Sequence, residues 1–474
     1  MQDLTRKCWD PRIELMSRGE LRILQERRLR QVVEFAYARS PFYRAKFDRA
    51  GLKPRHIRSL SDLNKIPTTD KYEMRASSEA SVAAGKRPFA EFLTAPEELV
   101  VTVHCTSGTT GTPFTAPLLE PEITARGMIA TGESAARQFW AAGLRPGDVL
   151  AHMWNLGGAM VGGGNHVIAK GACIPELFMA VIPCHVGNTA QILATLKELE
   201  ATAICCTPSY ALHLPEVAQK IGIDPRKDLK IKVIVTGGEP GGASVPGLRE
   251  RLRQLWGAEI FDMYGAPGVG LNYECEAHAG FHTHADGGII QVVHPETKEE
   301  LPMGEVGSLV GTGLGMAAFP WLRFDTEDQG ALTEEPCPCG RTHPRILSVP
   351  GRWDDMIKVK GFQLHPNSIE KVLGETPGCT GDFLILLEKD EAAKDRVRIQ
   401  VEHDPGLEDL DAFQKALEER IRLTITLRAH VEVVPKGTLA RYVMKRQRVL
   451  DNRSQDARAR FDEAAKARSA KYFG

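Results

Sequence analysis

Residues 106–114 read Thr106-Ser107-Gly108-Thr109-Thr110-Gly111-Thr112-Pro113-Phe114, shortly after the apolar, β-branched run Leu99-Val100-Val101-Thr102-Val103. A strand running into such a loop leaves backbone N–H groups and short hydroxyl donors uncovered by bulky side chains. That combination is what a bound polyphosphate requires. The Gly-Lys-Ser/Thr ending of a Walker A loop is absent, and the spacing is not that of a GxGxxG fingerprint. The competing reading is a polar turn without special function, so the flanking sequence has to decide.

Upstream, residues 19–50 place Leu21, Leu24, Leu29, Val32, Val33, Phe35 and Ala36 at helical spacing, with Pro41 as a break and Phe42-Tyr43 opening a second helix. Downstream, short apolar strands alternate with helices. Asp148–Ala151, Ala201–Cys206 and Ile231–Val235 read as strands, and Thr189–Glu200 and Ser209–Ile221 as helices. This alternation predicts parallel α/β layers.

From about residue 285 the pattern changes. Gly287–Val293 and Gly307–Gly311 read as antiparallel strands around a turn at Pro295-Glu296-Thr297. Gly351-Arg352-Trp353-Asp354-Asp355 is charged and loop-like, and marks a domain boundary. Beyond it, Ile357–Val359, Phe383–Leu387 and Val397–Val401 are expected to form one small sheet, covered by helices near 366–373 and 411–423. The expected fold class is therefore α/β: a large multi-sheet N-terminal domain over 1–352, and a small α+β C-terminal domain over 353–474.

At 474 residues, more than one domain is expected in any case. The formal net charge of -1 gives no bulk attraction to nucleic acid or to a membrane surface. No apolar run approaches the ~20 residues of a membrane span, and the N-terminus lacks the apolar core of a signal peptide. A cytoplasmic protein with neither nucleic acid nor membrane as partner is the expectation, and a homodimer follows from base rates. The ten cysteines are scattered, with Cys337 and Cys339 separated by one residue. In a chain this large a metal site or buried thiols are expected ahead of a disulfide framework.

The hydroxyl-rich loop, Gly237-Gly238-Glu239-Pro240, Met263-Tyr264-Gly265, Thr326-Glu327-Asp328 and Gly351-Arg352-Trp353-Asp354-Asp355 follow one another in the order used by adenylate-forming ligases. The chain most resembles the phenylacetate–CoA ligase branch of that family. Ser40-Pro41-Phe42-Tyr43-Arg44, Glu274-Cys275 with His282, and Pro336-Cys337-Pro338-Cys339-Gly340-Arg341 point the same way. The resemblance runs from about residue 20 to 453.

What the resemblance implies is an enzyme that activates a carboxylate with ATP and Mg²⁺ and passes the acyl group from acyl-AMP to coenzyme A. Ser107, Gly108, Thr109, Thr110 and Gly111 would cradle the phosphates. Gly238, Glu239 and Pro240, with Tyr264 and Gly265, would wall the adenine. Asp328 and Arg352 would bind the ribose hydroxyls. Lys445 would stabilise charge between carboxylate and α-phosphate, with Lys436 as its competitor. Asp354 matches the hinge about which the small domain turns, or else caps the boundary. Trp154, Gly157, Gly158 and Met160 align with the acyl pocket, whose apolar walls and glycines suit an aryl or arylacetic acid.

Two departures from the family pattern stand out. The loop ends in Gly111-Thr112-Pro113 where the family commonly has Gly-Lys-Pro, and the run Tyr264–Gly270 holds no carboxylate where a Mg²⁺-binding glutamate is usual. Glu239, Glu274 or the phosphates alone remain to place the ion. Cys275, His282, Cys337 and Cys339 offer an S₃N set suited to a structural Zn²⁺, with His278 and His284 as alternatives to His282. Two other readings stay open: adenylation with a carrier-protein or amine acceptor, and a degenerate nucleotide-binding protein without turnover.

Overall fold

A computed structural model describes residues 5–105, 115–119, 131–154, 177, 179–184, 188–315, 317–353, 357–359, 362–364, 366–389, 395–425, 429–439 and 448–453. By its internal contacts the chain divides into two units. One comprises Met1–Gly238 and Leu252–Val349, the other Glu239–Arg251 and Pro350–Gly474. The boundary read from the sequence differs, because it keeps 239–251 in the first domain. That segment bonds elsewhere: Arg251 Nη1 donates to the Thr380 carbonyl at 2.7 Å, and the Pro246 carbonyl lies 2.8 Å from where a Cβ on Gly374 would sit.

In the first unit, helix α1 (Arg18–Arg39) starts at a capping box. Ser17 accepts from the Glu20 amide, and the Glu20 carboxylate accepts the Ser17 amide. Helix α2 (Pro41–Arg49) follows at once, with Ser40 as N-cap and Pro41 in the first turn, where its missing N–H costs nothing. This explains the Ser40-Pro41-Phe42-Tyr43 signature. Phe42, Tyr43 and Phe47 are buried with Leu29, Val32, Val33, Phe92, Phe319 and Phe324. The Tyr43 hydroxyl accepts the Leu322 amide at 3.1 Å, anchoring the approach to a later strand.

Strands β1 (Val100–Cys105) and β2 (Thr115–Leu119) form an antiparallel pair of their own. The main sheet contains β3 (Val149–His152), β4 (Ala180–Pro183), β5 (Ala203–Cys206), β6 (Val233–Thr236), β7 (Glu259–Ala266), β8 (Gly270–Tyr273) and β9 (Phe281–His282). Strands β10 (Gly288–Val293), β11 (Gly307–Gly313) and β12 (Phe324–Gly330) make a separate antiparallel sheet. Strands β13 (Leu332–Thr333) and β14 (Arg345–Ile346) return to extend the main sheet, whose order is β13-β14-β9-β8-β7-β6-β5-β3-β4. From β4 to β7 the pairing is parallel; beyond β7 it is antiparallel.

Helices α3 (Thr131–Ala141), α4 (Thr189–Glu198) and α5 (Pro208–Lys220) alternate with the parallel strands. Phe139, Trp140, Leu150, Val233, Val235 and Phe261 are buried together against that sheet. Parallel strands covered on both faces read as continuous apolar runs, and β5 and β6 are fully buried.

In the second unit, β15 (Ile357–Val359) pairs with β16 (Phe362–Leu364). Strands β17 (Cys379–Lys389), β18 (Asp395–His403), β19 (His430–Pro435) and β20 (Val449–Asp451) form a four-stranded sheet in the order β19-β18-β17-β20. Ile357–Val359 therefore does not join the sheet of Phe383 and Val397, contrary to the sequence expectation. Only Lys360-Gly361 separates it from Phe362, too short a connection for anything but a hairpin. Helices α6 (Pro366–Gly374) and α7 (Leu410–Ile425) bury Ile369, Leu373, Leu417 and Ile421 with Phe383, Ile385 and Ile399 of the sheet. Among the described residues, no helix is long and apolar enough to cross a membrane.

Candidate active site and metal centre

Open parallel sheets bind ligands outside the carboxyl ends of their strands. Here those ends carry His152 on β3, Cys206 on β5 and Thr236 on β6. Gly237-Gly238 follows β6 directly. A Cβ on Gly237 would meet Met263 Cγ at 2.5 Å, and Gly238 has φ +84°, so both positions require glycine. The Thr207 hydroxyl accepts the Tyr210 amide and starts α5 beside this point. Glu239 and Pro240 are half-buried and Arg352 is half-buried; all three belong to the second unit.

Next along the sheet, β7 carries Tyr264. The β7–β8 hairpin pairs Met263 with Tyr273 and Tyr264 with Asn272, and turns through Gly268 (φ +76°) and Gly270 (φ +74°). The Tyr264 hydroxyl donates to Asp328 Oδ2 at 2.6 Å, joining the main sheet to β12 of the three-stranded sheet. Asp328 is 8% exposed, with Tyr264 half-buried. A carboxylate beside a phenol at a sheet's carboxyl edge is suited to accept a vicinal diol. The sequence picks out both residues but not their bond.

The usual Mg²⁺ glutamate has no counterpart on the tight 266–270 turn. Glu274 does not replace it readily, being 1% exposed. Its Oε2 accepts the Asp262 amide at 2.7 Å and lies 3.5 Å from His278 Nδ1.

Trp154, two residues beyond β3, is 5% exposed and packs with Trp140, Met179 and Met263. Its ring centroid lies 5.7 Å from that of His152, and among the described residues its indole N–H has no hydrogen-bond partner. Ser107, Gly108, Thr109, Thr110, Gly111, Gly157, Gly158, Met160, Asp354 and Lys445 lie outside the described residues.

The sulfur and imidazole cluster is assembled by strand pairing. His282 on β9 pairs with Tyr273 of β8 and Arg345 of β14. That brings Cys275, just past β8, next to the loop carrying Cys337 and Cys339. One ligand atom from each of Cys275, His282, Cys337 and Cys339 lies within 4.8 Å of all the others, and all four residues are buried. Cys275 Sγ and Cys337 Sγ are 3.7 Å apart, and Cys339 Sγ and His282 Nε2 are 3.4 Å apart.

With usual Zn–S and Zn–N lengths, a tetrahedron has S···S edges of about 3.8 Å and S···N edges of about 3.6 Å. The four donors fit such an ion. Amides shape the two corners: His278 N–H donates to the Cys275 carbonyl at 2.9 Å, and Gly340 N–H to the Cys337 carbonyl at 2.9 Å. The Arg341 amide points at Cys339 Sγ, 3.4 Å away.

The two alternative histidines are engaged elsewhere. His278 Nε2 lies 3.3 Å from Arg253, and His284 Nδ1 lies 3.4 Å from Arg137. Burial, reinforced by the Arg137 charge, pulls the His284 pKa down to about 3, so it is neutral at neutral pH. Arg137 in turn grips Asp286 through two bonds of 2.7 and 3.1 Å. Behind Cys339, Arg341 Nε donates to Glu14 Oε2 at 2.7 Å, both side chains 1% exposed. The N-terminal segment is thereby tied to the cluster.

Comparison with known proteins gives the family. Residues 23–318 match the AMP-binding enzyme family, and residues 361–453 match the AMP-binding enzyme C-terminal domain. A phenylacetate–coenzyme A ligase of Thermus thermophilus is 33% identical over 467 residues, spanning 94% of this chain and 99% of the relative. That of Escherichia coli is 30% identical, spanning 95% and 99%. The crystal structure of a 2-hydroxyisobutyryl-CoA ligase in the postadenylation state, in complex with 2-HIB-AMP, has a TM-score of 0.84 at 28% identity. It covers 98% of this chain and 96% of its own.

Proposed function

Since the chain belongs to the AMP-binding enzyme family, we propose that it is an AMP-forming acid–CoA ligase for an aryl or arylacetic carboxylate. The observation that carries this reading is the match to phenylacetate–CoA ligases along nearly the whole of both chains. A carboxylate oxygen of the acid attacks the α-phosphorus of ATP, and pyrophosphate leaves. The CoA thiol then attacks the carbonyl carbon of the acyl-AMP, losing its proton, and AMP leaves.

In this scheme Ser107, Thr109 and Thr110, with the amides of Gly108 and Gly111, hold the departing phosphates. Gly238, Glu239, Pro240 and Gly265 line the adenine site against Tyr264, and Asp328 with Arg352 takes the ribose hydroxyls. Lys445 offsets charge at the reacting carboxylate and α-phosphate. Asp354 is the pivot between the two half-reactions. Trp154 with Gly157, Gly158 and Met160 bounds the acid. Mg²⁺ supplies charge neutralisation on the polyphosphate.

Zinc in the Cys275–His282–Cys337–Cys339 cluster serves the fold, since four protein ligands leave no open position. We place the enzyme in the cytoplasm as a homodimer, and sedimentation velocity reads the latter. Purified protein should hold one zinc per chain by elemental analysis. Cys339→Ser should lose the metal and lower the thermal midpoint, and a metal-free wild type would contradict the assignment.

The test of the activity is pyrophosphate release across a panel of acids, each with and without CoA. Phenylacetate and benzoates lead the panel, and 2-hydroxyisobutyrate enters because the structural neighbour carries its adenylate. Release that depends on an aromatic acid and accelerates with CoA is expected. Acceleration by a carrier thiol or an amine in place of CoA would move the acceptor, and absence of release with every acid would favour a nucleotide-binding protein without turnover. Lys445→Ala should abolish acid-dependent release while sparing thioester formation from supplied acyl-AMP; unchanged release would remove that role.

A further inference from the structure

We infer that Asp325 is a positioning residue that holds Asp328 against the nucleotide ribose through a bulge in β12. The inference rests on the reading of Asp328 as a ribose ligand. The register shows the bulge. Val310 of β11 faces Asp325, and Ser308, two residues away, faces Gln329, four residues away. The excess falls on Thr326-Glu327-Asp328. Bulges beside active sites re-aim a side chain out of the ladder.

The kink is costly to hold. Glu327 sits at φ +60°, in the left-handed region that non-glycine residues avoid. Two side chains hold the backbone there. Asp325, 2% exposed, accepts the Glu327 amide at 2.9 Å and the Ser308 hydroxyl at 2.5 Å on Oδ1, and Lys298 Nζ at 2.6 Å on Oδ2. Thr326 Oγ1 accepts the Asp328 amide at 3.0 Å while donating to the Leu309 carbonyl at 2.9 Å. Lys71 pairs with the Glu327 carboxylate at 2.7 Å. The result is an Asp328 whose backbone is fixed and whose Oδ2 meets the Tyr264 hydroxyl. Asp325 acts at one remove, through the amide of Glu327.

A merely structural residue would, when removed, weaken all nucleotides alike. A residue that aims Asp328 would instead erase the preference for ATP over 2′-deoxyATP and 3′-deoxyATP. The experiment measures kcat and KM for the three nucleotides in acid-dependent pyrophosphate release, for wild type, Asp328→Asn, Asp325→Ala, the Asp325→Ala/Asp328→Asn double variant, Asp325→Asn and Ser308→Ala. Asp325→Ala should raise KM for ATP by about tenfold or more, as for a lost bond to a charged group. It should leave KM for the deoxynucleotides nearly unchanged, and add nothing further in the Asp328→Asn background. Asp325→Asn, which keeps an acceptor for the Glu327 amide, should retain most of the preference.

Ser308→Ala removes one hold on the same oxygen and should shift the preference partway, even if Asp325→Ala folds poorly. Equal losses for all three nucleotides, or none, in Asp325→Ala and Ser308→Ala would overturn the positioning role. If Asp328→Asn itself keeps the wild-type preference, the ribose reading fails and the inference falls with it.

Discussion

Tyr264 and Asp328 stand 64 residues apart in sequence and 2.6 Å apart across two sheets. A hydrogen bond to a charged acceptor contributes about 1.5–3 kcal/mol. Tyr264→Phe should therefore weaken ATP binding by roughly tenfold with less effect on kcat, read as a rise in KM for ATP in pyrophosphate release. An unchanged KM would mean the phenol does not orient the carboxylate. Each residue was legible in its motif, but their bond was not, because nothing local records which residue of one sheet faces another. The cysteine–histidine cluster was more legible. Cysteine and histidine are few, and of three nearby histidines His282 alone lies on a strand that pairs with both neighbouring segments. The fate of Glu274 was not readable: its burial under the Asp262 amide is a matter of tertiary packing.

At the scale of elements, the β11–β12 pair and the β7–β8 hairpin are fitted to each other. A Cβ on Gly311 of β11 would lie 2.3 Å from the Gly268 carbonyl carbon, and one on Gly268 would lie 2.9 Å from Phe324 Cβ. The hairpin tip that follows Tyr264 is thus seated on the sheet that carries Asp328. Gly311→Ala should cost about 1–3 kcal/mol through overpacking against backbone, seen as a lowered thermal midpoint. Gly19→Ala, on α1 with nothing within 4 Å of the added carbon, should be neutral or stabilising by about 0.5–1 kcal/mol. Equal midpoints for the two variants would deny the close approach. The longer elements followed from apolar runs and caps. Two-residue strands such as β9, β13 and β14 carry no periodicity to read, and the pattern misplaces β15 because its partner lies across two residues rather than across the domain.

Over the whole molecule, of the residues proposed for the nucleotide, Gly238, Tyr264, Gly265 and Asp328 fall in the first unit, and Glu239, Pro240 and Arg352 in the second. The two-part architecture, the near-complete match to phenylacetate–CoA ligases and the near-neutral net charge all fit an enzyme of small molecules. The measurement that tests this most directly is product analysis by mass spectrometry. The protein is incubated with ATP, Mg²⁺, CoA and phenylacetate, and the yields of AMP, pyrophosphate and phenylacetyl-CoA are followed together. Formation of all three in equal amounts, dependent on both acid and CoA, is the predicted result. AMP and pyrophosphate without thioester, across phenylacetate and the wider acid panel, would contradict the account.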